Sequence, residues 1–249
     1  GIELHGATGY LLDTFFQSCS NERPATDRYT GTSFRGRFQL LREILERVTK
    51  IFPGRVGVKI SPNACFNGMG LGGDNFEFFT WMAKELDGFD LAYLHVMDGI
   101  SADAAKVKWW GKMNSTGCHR SGRCVSLADL RPLTRHRLIG NANYTANAAA
   151  ERIFHDRTAD AVSFGRVCFS NPDFAEKVRN GGKLNPLPEP DAWFKPSEKT
   201  RRDVAWGYTE FGASKEMSAA REEDGVSTRC GSLMGEDVPP EAAPVPVSP

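Results

Sequence analysis

Two hydrophobic periods take turns along the chain, and the places where one gives way to the other predict its elements. Residues 1–5 read as a short strand that stops at His5. A turn bracketed by Gly6 and Gly9 follows, and then an apolar segment starting near Tyr10. Residues 18–37 are polar and turn-rich. From Phe38 to Val48 the apolar residues fall at helical spacing until Pro53-Gly54 breaks the run. A strand over 55–60 is stopped by Pro62. A Gly/Asn loop over 63–74 leads to a helix over 76–86 and a strand over 91–96. Residues 98–126 carry neither period and are expected to form a long functional loop that covers the mouth of the fold. A short helix over 127–133, a strand over 137–141 and a helix over 146–154 capped by Thr145 come next. The last elements are a strand over 161–164, ending at Gly165-Arg166, and a helical turn or two over 172–179.

Strands and helices therefore alternate, which predicts an α/β fold with a parallel sheet and helical crossovers. Five strands can be counted, whereas a closed TIM (β/α)8 barrel has eight. The expectation is an incomplete barrel with about five of the eight βα units. Beyond Gly212 the pattern fails. Glu222-Glu223-Asp224-Gly225 and the run from Pro239 to Pro246 cannot build a core, so 212–249 is expected to be a disordered Pro/Ala/Glu-rich tail and 1–211 the barrel part.

Composition narrows the function. The chain has 249 residues and 40% hydrophobic content, enough for a sizeable core in one domain. Its 31 basic and 31 acidic residues cancel, which argues against nucleic acid as a partner while leaving room for a local phosphate site. No apolar run reaches membrane-spanning length, and no basic leader is visible, so a cytoplasmic, intracellular protein is expected. Gly1 opens directly on a strand with nothing before it to position that strand, which reads as a fragment. The six cysteines show no CxxC pair. Cys118-His119 and Cys124 lack a fourth ligand nearby, so no metal is expected and the thiols are read as reduced.

Three places could carry chemistry. His5 and Tyr10 leave the end of the first strand together, and strand C-terminal ends are where barrel active sites lie. The competing reading is a buried strand with a core His and a core Tyr. Gly140-Asn141 and Gly165-Arg166 end the last two strands, and each is followed by a helix. Glycines admit backbone N–H groups close to an anion, and Arg166 can fork onto a phosphate, so this pair is read as a phosphate grip rather than two ordinary strand ends. Lys59 ends an otherwise apolar strand and should reach the mouth, unless it is a snorkelling core-edge lysine. His95 has no partner identifiable from the sequence.

These stretches resemble the Old Yellow Enzyme family, FMN-dependent ene-reductases that include the 12-oxophytodienoate reductases. The likeness runs through GIELHGATGYLLDTFF, the loop Asn21-Glu22-Arg23 to Tyr29, the strand Arg55 to Pro62, Leu91 to Val96, Gly140-Asn141 and Phe164 to Asp173. It closes on Trp193-Phe194 and Gly207-Tyr208-Thr209 and covers about residues 1–211. The resemblance implies a TIM barrel with FMN at its mouth and NADPH or NADH as reductant. It implies hydride delivery to an alkene conjugated to a carbonyl, so the substrate is a small enone. By the same resemblance His5 hydrogen-bonds the substrate carbonyl and Tyr10 donates the proton. Gly140, Asn141, Gly165 and Arg166 grip the flavin phosphate, Lys59 faces the flavin ring, and Phe194 stands at an aromatic position beside it.

The sequence also departs from the family pattern. Thr8 stands where a second carbonyl-binding Asn or His is usual, and loss of one such donor can cost about 10²–10³ in rate. Lys59 replaces an Arg. The loop over 21–37 differs in length, so Arg35 and Arg37 cannot be aligned. The family's first three strands have no counterpart, which predicts weak or absent FMN binding by this chain alone. Two alternatives stay open: a truncated or degenerate non-catalytic relative, and a different phosphate-binding βα-barrel enzyme.

Overall fold

In the computed structural model the described residues are 1–64, 67–70, 72–98, 123–142 and 144–186. They form a five-stranded sheet in the order β1 (Ile2–Gly6), β2 (Val56–Ile60), β3 (Tyr93–Val96), β4 (Arg137–Gly140), β5 (Ala161–Val162). Every pairing is parallel, so each strand is reached by a crossover. Helices α1 (Leu11–Phe16), α2 (Phe34–Ile51), α3 (Asn75–Leu86), α4 (Leu127–Leu130) and α5 (Ala146–Ala150) lie in those crossovers, while α6 (Arg166–Ser170) and α7 (Phe174–Asn180) follow β5. This is the α/β barrel architecture, with five of its strands among the described residues.

Register sorts the side chains cleanly. Leu4, Val58, Leu94 and Leu138 lie side by side, as do Ile60, Val96 and Gly140. This apolar face packs against the helices, and Val56, Val58, Ile60, Leu94, Val96 and Leu138 are fully buried. The alternate positions, Glu3, His5, Lys59, Tyr93 and His95, share the other face. One side of the sheet is thus a hydrophobic core and the other a polar surface. Gly57 belongs to the polar side because a Cβ there would stand 2.2 Å from the Tyr93 ring.

The helices close over the apolar face with aromatics. Phe16, Phe38, Phe78 and Phe79 are fully buried, and Phe34 and Trp81 pack on them edge-on or tilted. Burial of each such side chain is worth about 1.5–3 kcal/mol. Within this cluster Arg37 is buried, with its guanidinium 4.4 Å from the Phe78 ring centroid. It donates to both carboxylate oxygens of Asp74, at 3.3 and 2.7 Å, and to the Phe16 carbonyl at 3.1 Å. The arginine that sequence comparison could not align is a structural clamp.

Several boundaries differ from expectation for local reasons. Helix α2 begins at Phe34 rather than Phe38, because Ser33 accepts the Gly36 N–H at 3.1 Å and nucleates the first turn inside the polar stretch. Gly36 is required there, since a Cβ would meet Thr30 at 2.4 Å. Thr145 caps the last crossover helix, α5, as expected, but the α-helix ends at Ala150 and continues as a π-turn over Glu151–His155. Strand β5 is only two residues long. Cys124 is disulfide-bonded, contrary to the expectation of reduced thiols, while Cys19 and Cys168 are free. Spacing along the chain does not reveal which sulfurs meet in space. The tail over 212–249, most of the loop over 98–126 and Phe194 lie outside the described residues.

Candidate active site

The C-terminal end of β1 delivers its side chains through a tight turn. Thr8 and Gly9 take φ values of 56° and 75°, two left-handed residues in succession, and the first is β-branched. The strain is held from three directions. The Thr8 N–H donates to Ser61 Oγ at 2.7 Å, the Gly9 N–H donates to Asp13 Oδ2 at 2.8 Å, and Asn67 Nδ2 donates to the Thr8 carbonyl at 2.9 Å. As a result His5, Thr8 and Tyr10 gather in one place. His5 Nε2 lies 3.3 Å from Thr8 Oγ1, and the His5 and Tyr10 rings are 5.3 Å apart at 52°. Tyr10 is 56% exposed, so its phenol is open to a bound molecule.

Beneath the turn lies Asp13, fully buried, whose carboxyl is pushed up to about 6 by burial, against hydrogen bonds from Gln17, Gly9 and Ser61. A carboxyl whose folded-state value lies above its unfolded value of 3.8 contributes stability below that value. The contribution is lost as pH rises through about 6.

Beside the turn, the polar sheet face carries a line of hydrogen bonds that joins β1, β3 and the end of β5. His95 bridges Glu3 Oε2 at 2.9 Å through Nδ1 and Ser163 Oγ at 2.7 Å through Nε2. Asn141 Nδ2 donates to the same Ser163 Oγ at 2.7 Å. His95, for which the sequence offered no partner, therefore has two. Burial holds the His95 pKa below its ordinary value, with Glu3 opposing and Lys59 assisting. His5 is lowered in the same way, by burial first and by Lys59 second. Lys59, opposite both histidines in the register, is itself lowered by burial. Burial, with the Lys59 ammonium adding to it, thus favours the neutral form of both rings.

The ends of β4 and β5 form the second half of the site. Gly140 pairs with Val162, so Gly140-Asn141 and Gly165-Arg166 emerge from adjacent strands. A Cβ on Gly165 would meet nothing within 4 Å, which leaves open space over the turn. Arg166 is partly buried and its pKa is lowered accordingly. Ala142, just after Asn141, takes φ 73°, a left-handed position without a glycine. Asp98, beyond the end of β3, accepts the Tyr144 hydroxyl at 2.7 Å, and burial raises both groups.

All these groups lie at the C-terminal edge of the parallel sheet, where such folds bind ligands. The structure brings together His5, Thr8, Tyr10 and Lys59 at the β1–β2 end, and Gly140, Asn141, Gly165 and Arg166 at the β4–β5 end. Sequence reasoning missed Glu3, Ser163, Asp13 and Ser61. A buried carboxylate within the apolar run Leu11–Phe16 was the one available signal, and only for Asp13.

Residues 1–185 match the NADH:flavin oxidoreductase / NADH oxidase family. The chain is 32% identical over 187 residues to chanoclavine-I aldehyde reductase of Penicillium roqueforti (strain FM164), covering 73% of this chain and 45% of that protein. It is 29% identical over 213 residues to 12-oxophytodienoate reductase 2 of Arabidopsis thaliana, covering 85% and 50%. Among solved structures, the old yellow enzyme from Trypanosoma cruzi superposes with a TM-score of 0.69 at 28% identity, covering 86% of this chain and 50% of that one. The chain spans about half the length of the curated relatives it matches.

Proposed function

Because the chain belongs to the NADH:flavin oxidoreductase / NADH oxidase family, we propose that it serves an FMN-dependent reductase that saturates the C=C bond of an α,β-unsaturated carbonyl compound, with NADPH or NADH as the hydride source. The observation that carries this reading is the gathering of His5, Thr8 and Tyr10 in one turn, at the same sheet edge as Gly140-Asn141 and Gly165-Arg166. A relative from Leishmania infantum, 29% identical over 205 residues, is described as a probable flavin mononucleotide-dependent alkene reductase, and the residues present here fit the FMN phosphate. Open space over Gly165 lies next to the Arg166 cation, and Gly140 ends the neighbouring strand.

When bound, FMN supplies the hydride. The remaining work falls to the chain. Arg166, with the backbone at Gly140, Asn141 and Gly165, would hold the phosphate, and Lys59 would offset charge on the ring system. Phe194 is proposed as an aromatic neighbour of the flavin. His5, its neutral form favoured by burial and Lys59, binds the substrate carbonyl oxygen through a ring N–H and stabilises negative charge as it develops there. Tyr10, exposed beside that ring, protonates the carbon next to the carbonyl as a general acid. Thr8 adds a competitor, because its hydroxyl already lies within reach of His5 Nε2 and the substrate oxygen must displace it.

That contact also favours a second reading, a flavin-binding relative with little or no turnover. The deciding experiment is the visible spectrum and released FMN of the 249-residue chain, followed by cyclic enone reduction with each nicotinamide. Bound flavin with turnover that falls about 10²–10⁴-fold in Tyr10→Phe supports the enzyme. Bound flavin with no turnover supports the second reading. A chain that takes up another phosphate ester but no flavin, even on reconstitution, overturns both.

A further inference from the structure

Asp13 lies beneath the turn rather than in the site, and five hydrogen bonds around it run in fixed directions. Asn75 Nδ2 donates to Gln17 Oε1 at 3.0 Å, which leaves Gln17 Nε2 to donate to Asp13 Oδ1 at 3.0 Å. The Thr8 N–H occupies Ser61 Oγ as an acceptor, so the Ser61 hydroxyl proton is free to point to Asp13 Oδ2 at 3.4 Å. The Gly9 N–H also points to Oδ2, at 2.8 Å. Three donors therefore converge on one side chain from the turn, from α1 and from the end of β2. Only a carboxylate accepts on both oxygens; an Asn would set an N–H against one of the donors, and a backbone or side-chain flip would be needed. The donors facing Asp13, from Gln17, Gly9 and Ser61, are uncharged, and the titratable groups His5, Lys59 and Asp74 on the elements packed around it make no hydrogen bond to it.

The geometry points to Asp13 as a positioning residue of the active site, its carboxylate locking the left-handed Thr8–Gly9 turn so that Tyr10 is held against His5. This rests on the proposal that His5 and Tyr10 act on substrate. Protonation of the carboxyl takes one acceptor site out of the network and turns it into a donor. The Gly9 N–H and Ser61 O–H then compete for what remains, and the turn loosens. The burial that raises Asp13 puts this change near pH 6, within reach of an ordinary titration.

The test uses the full 249-residue chain, isotopically labelled, with the Gly9 amide and the Tyr10 ring followed by NMR from pH 4.5 to 8. These limits bracket the value of about 6 given for Asp13. In the unmodified chain both resonances should move through one common step near pH 6. In Asp13→Asn the step should vanish from both. Thr8 and Gly9 amides should also exchange with solvent about tenfold faster, while those of β1 and β2 keep their protection. Enone turnover should follow the same step in the unmodified chain, and in Asp13→Asn kcat should fall about tenfold or more with KM nearly unchanged. A Gly9 amide or Tyr10 ring that shows no such step in the unmodified chain overturns the proposal, and this arm stands even if Asp13→Asn does not fold. So does a variant that retains the step. Absence of turnover in the unmodified chain, with both resonances still titrating together, overturns the enzymatic reading but leaves the turn's dependence on Asp13 standing.

Discussion

The two ends of the sheet are built differently. At the β1–β2 end, a strained turn rests on Asp13, Ser61 and Asn67, and behind it stands an aromatic core clamped by buried Arg37. At the β4–β5 end, β5 is two residues long, α5 gives way to a π-turn, and Phe154 and Phe169 are exposed. A proton donor and a carbonyl-binding group must be aimed to within a fraction of an ångström, which calls for rigid support. A phosphate brings its own charge and can order the turns that receive it. On the roles proposed above, the half that would handle the proton is preorganised by the fold, whereas the half that would receive the phosphate is left for its ligand to complete.

The largest way to break this comparison is through the clamp. Arg37→Ala leaves Asp74 with the Ser18 hydroxyl in place of an ion pair, removes the donor to the Phe16 carbonyl and opens a gap beside Phe78. A loss of about 3–5 kcal/mol is expected, read as a lower denaturant midpoint, with faster amide exchange in α1, α2 and α3. If β4 and β5 lost protection first, the proposed division of rigidity would be wrong.

A smaller effect tests the other end. Arg166→Gln removes the charge but not the shape, so FMN affinity should fall by about 10–150-fold, matching the 1.5–3 kcal/mol of a charge-assisted bond. Equilibrium dialysis against FMN reads the change, and an affinity that stays within about twofold of the unmodified chain would overturn the role given to Arg166.

The smallest effect sharpens the contrast between the two left-handed turns. Ala142→Gly relieves a φ of 73° and should add about 1 kcal/mol, seen as a rise of about 2–4 °C in thermal midpoint. The corresponding Thr8→Gly should gain less, because it also gives up the contact of the Thr8 hydroxyl with His5 Nε2. Equal gains at both turns would erase the distinction.

Much of this architecture was readable in the sequence because local patterns encode local structure. Alternation in Arg55–Ile60 and Leu91–Val96, helical spacing from Phe38 to Val48, and the Pro53-Gly54 break predicted strands and helices close to those observed, and five strands were counted and found. The family resemblance carried by GIELHGATGYLLDTFF and Phe164 to Asp173 agrees with the match over residues 1–185. The start of α2 was misplaced because a polar cap at Ser33 outweighed the missing apolar residues before Phe38.

What the sequence by itself determined was therefore the order of elements, the alternation that divides each strand between an apolar and a polar face, and the turn that brings His5, Thr8 and Tyr10 within a few residues of one another. The tertiary structure alone decided which polar groups meet. Glu3, His95 and Ser163 are far apart in the chain and become one hydrogen-bonded line only because parallel register aligns β1, β3 and β5. Asp13 looks like an intrusion in an apolar run until Ser61, from the end of the neighbouring strand, closes over it. The physical reason is that periodicity is set by neighbours along the chain, whereas the cost of burying a charge or a donor is settled by partners that only folding supplies.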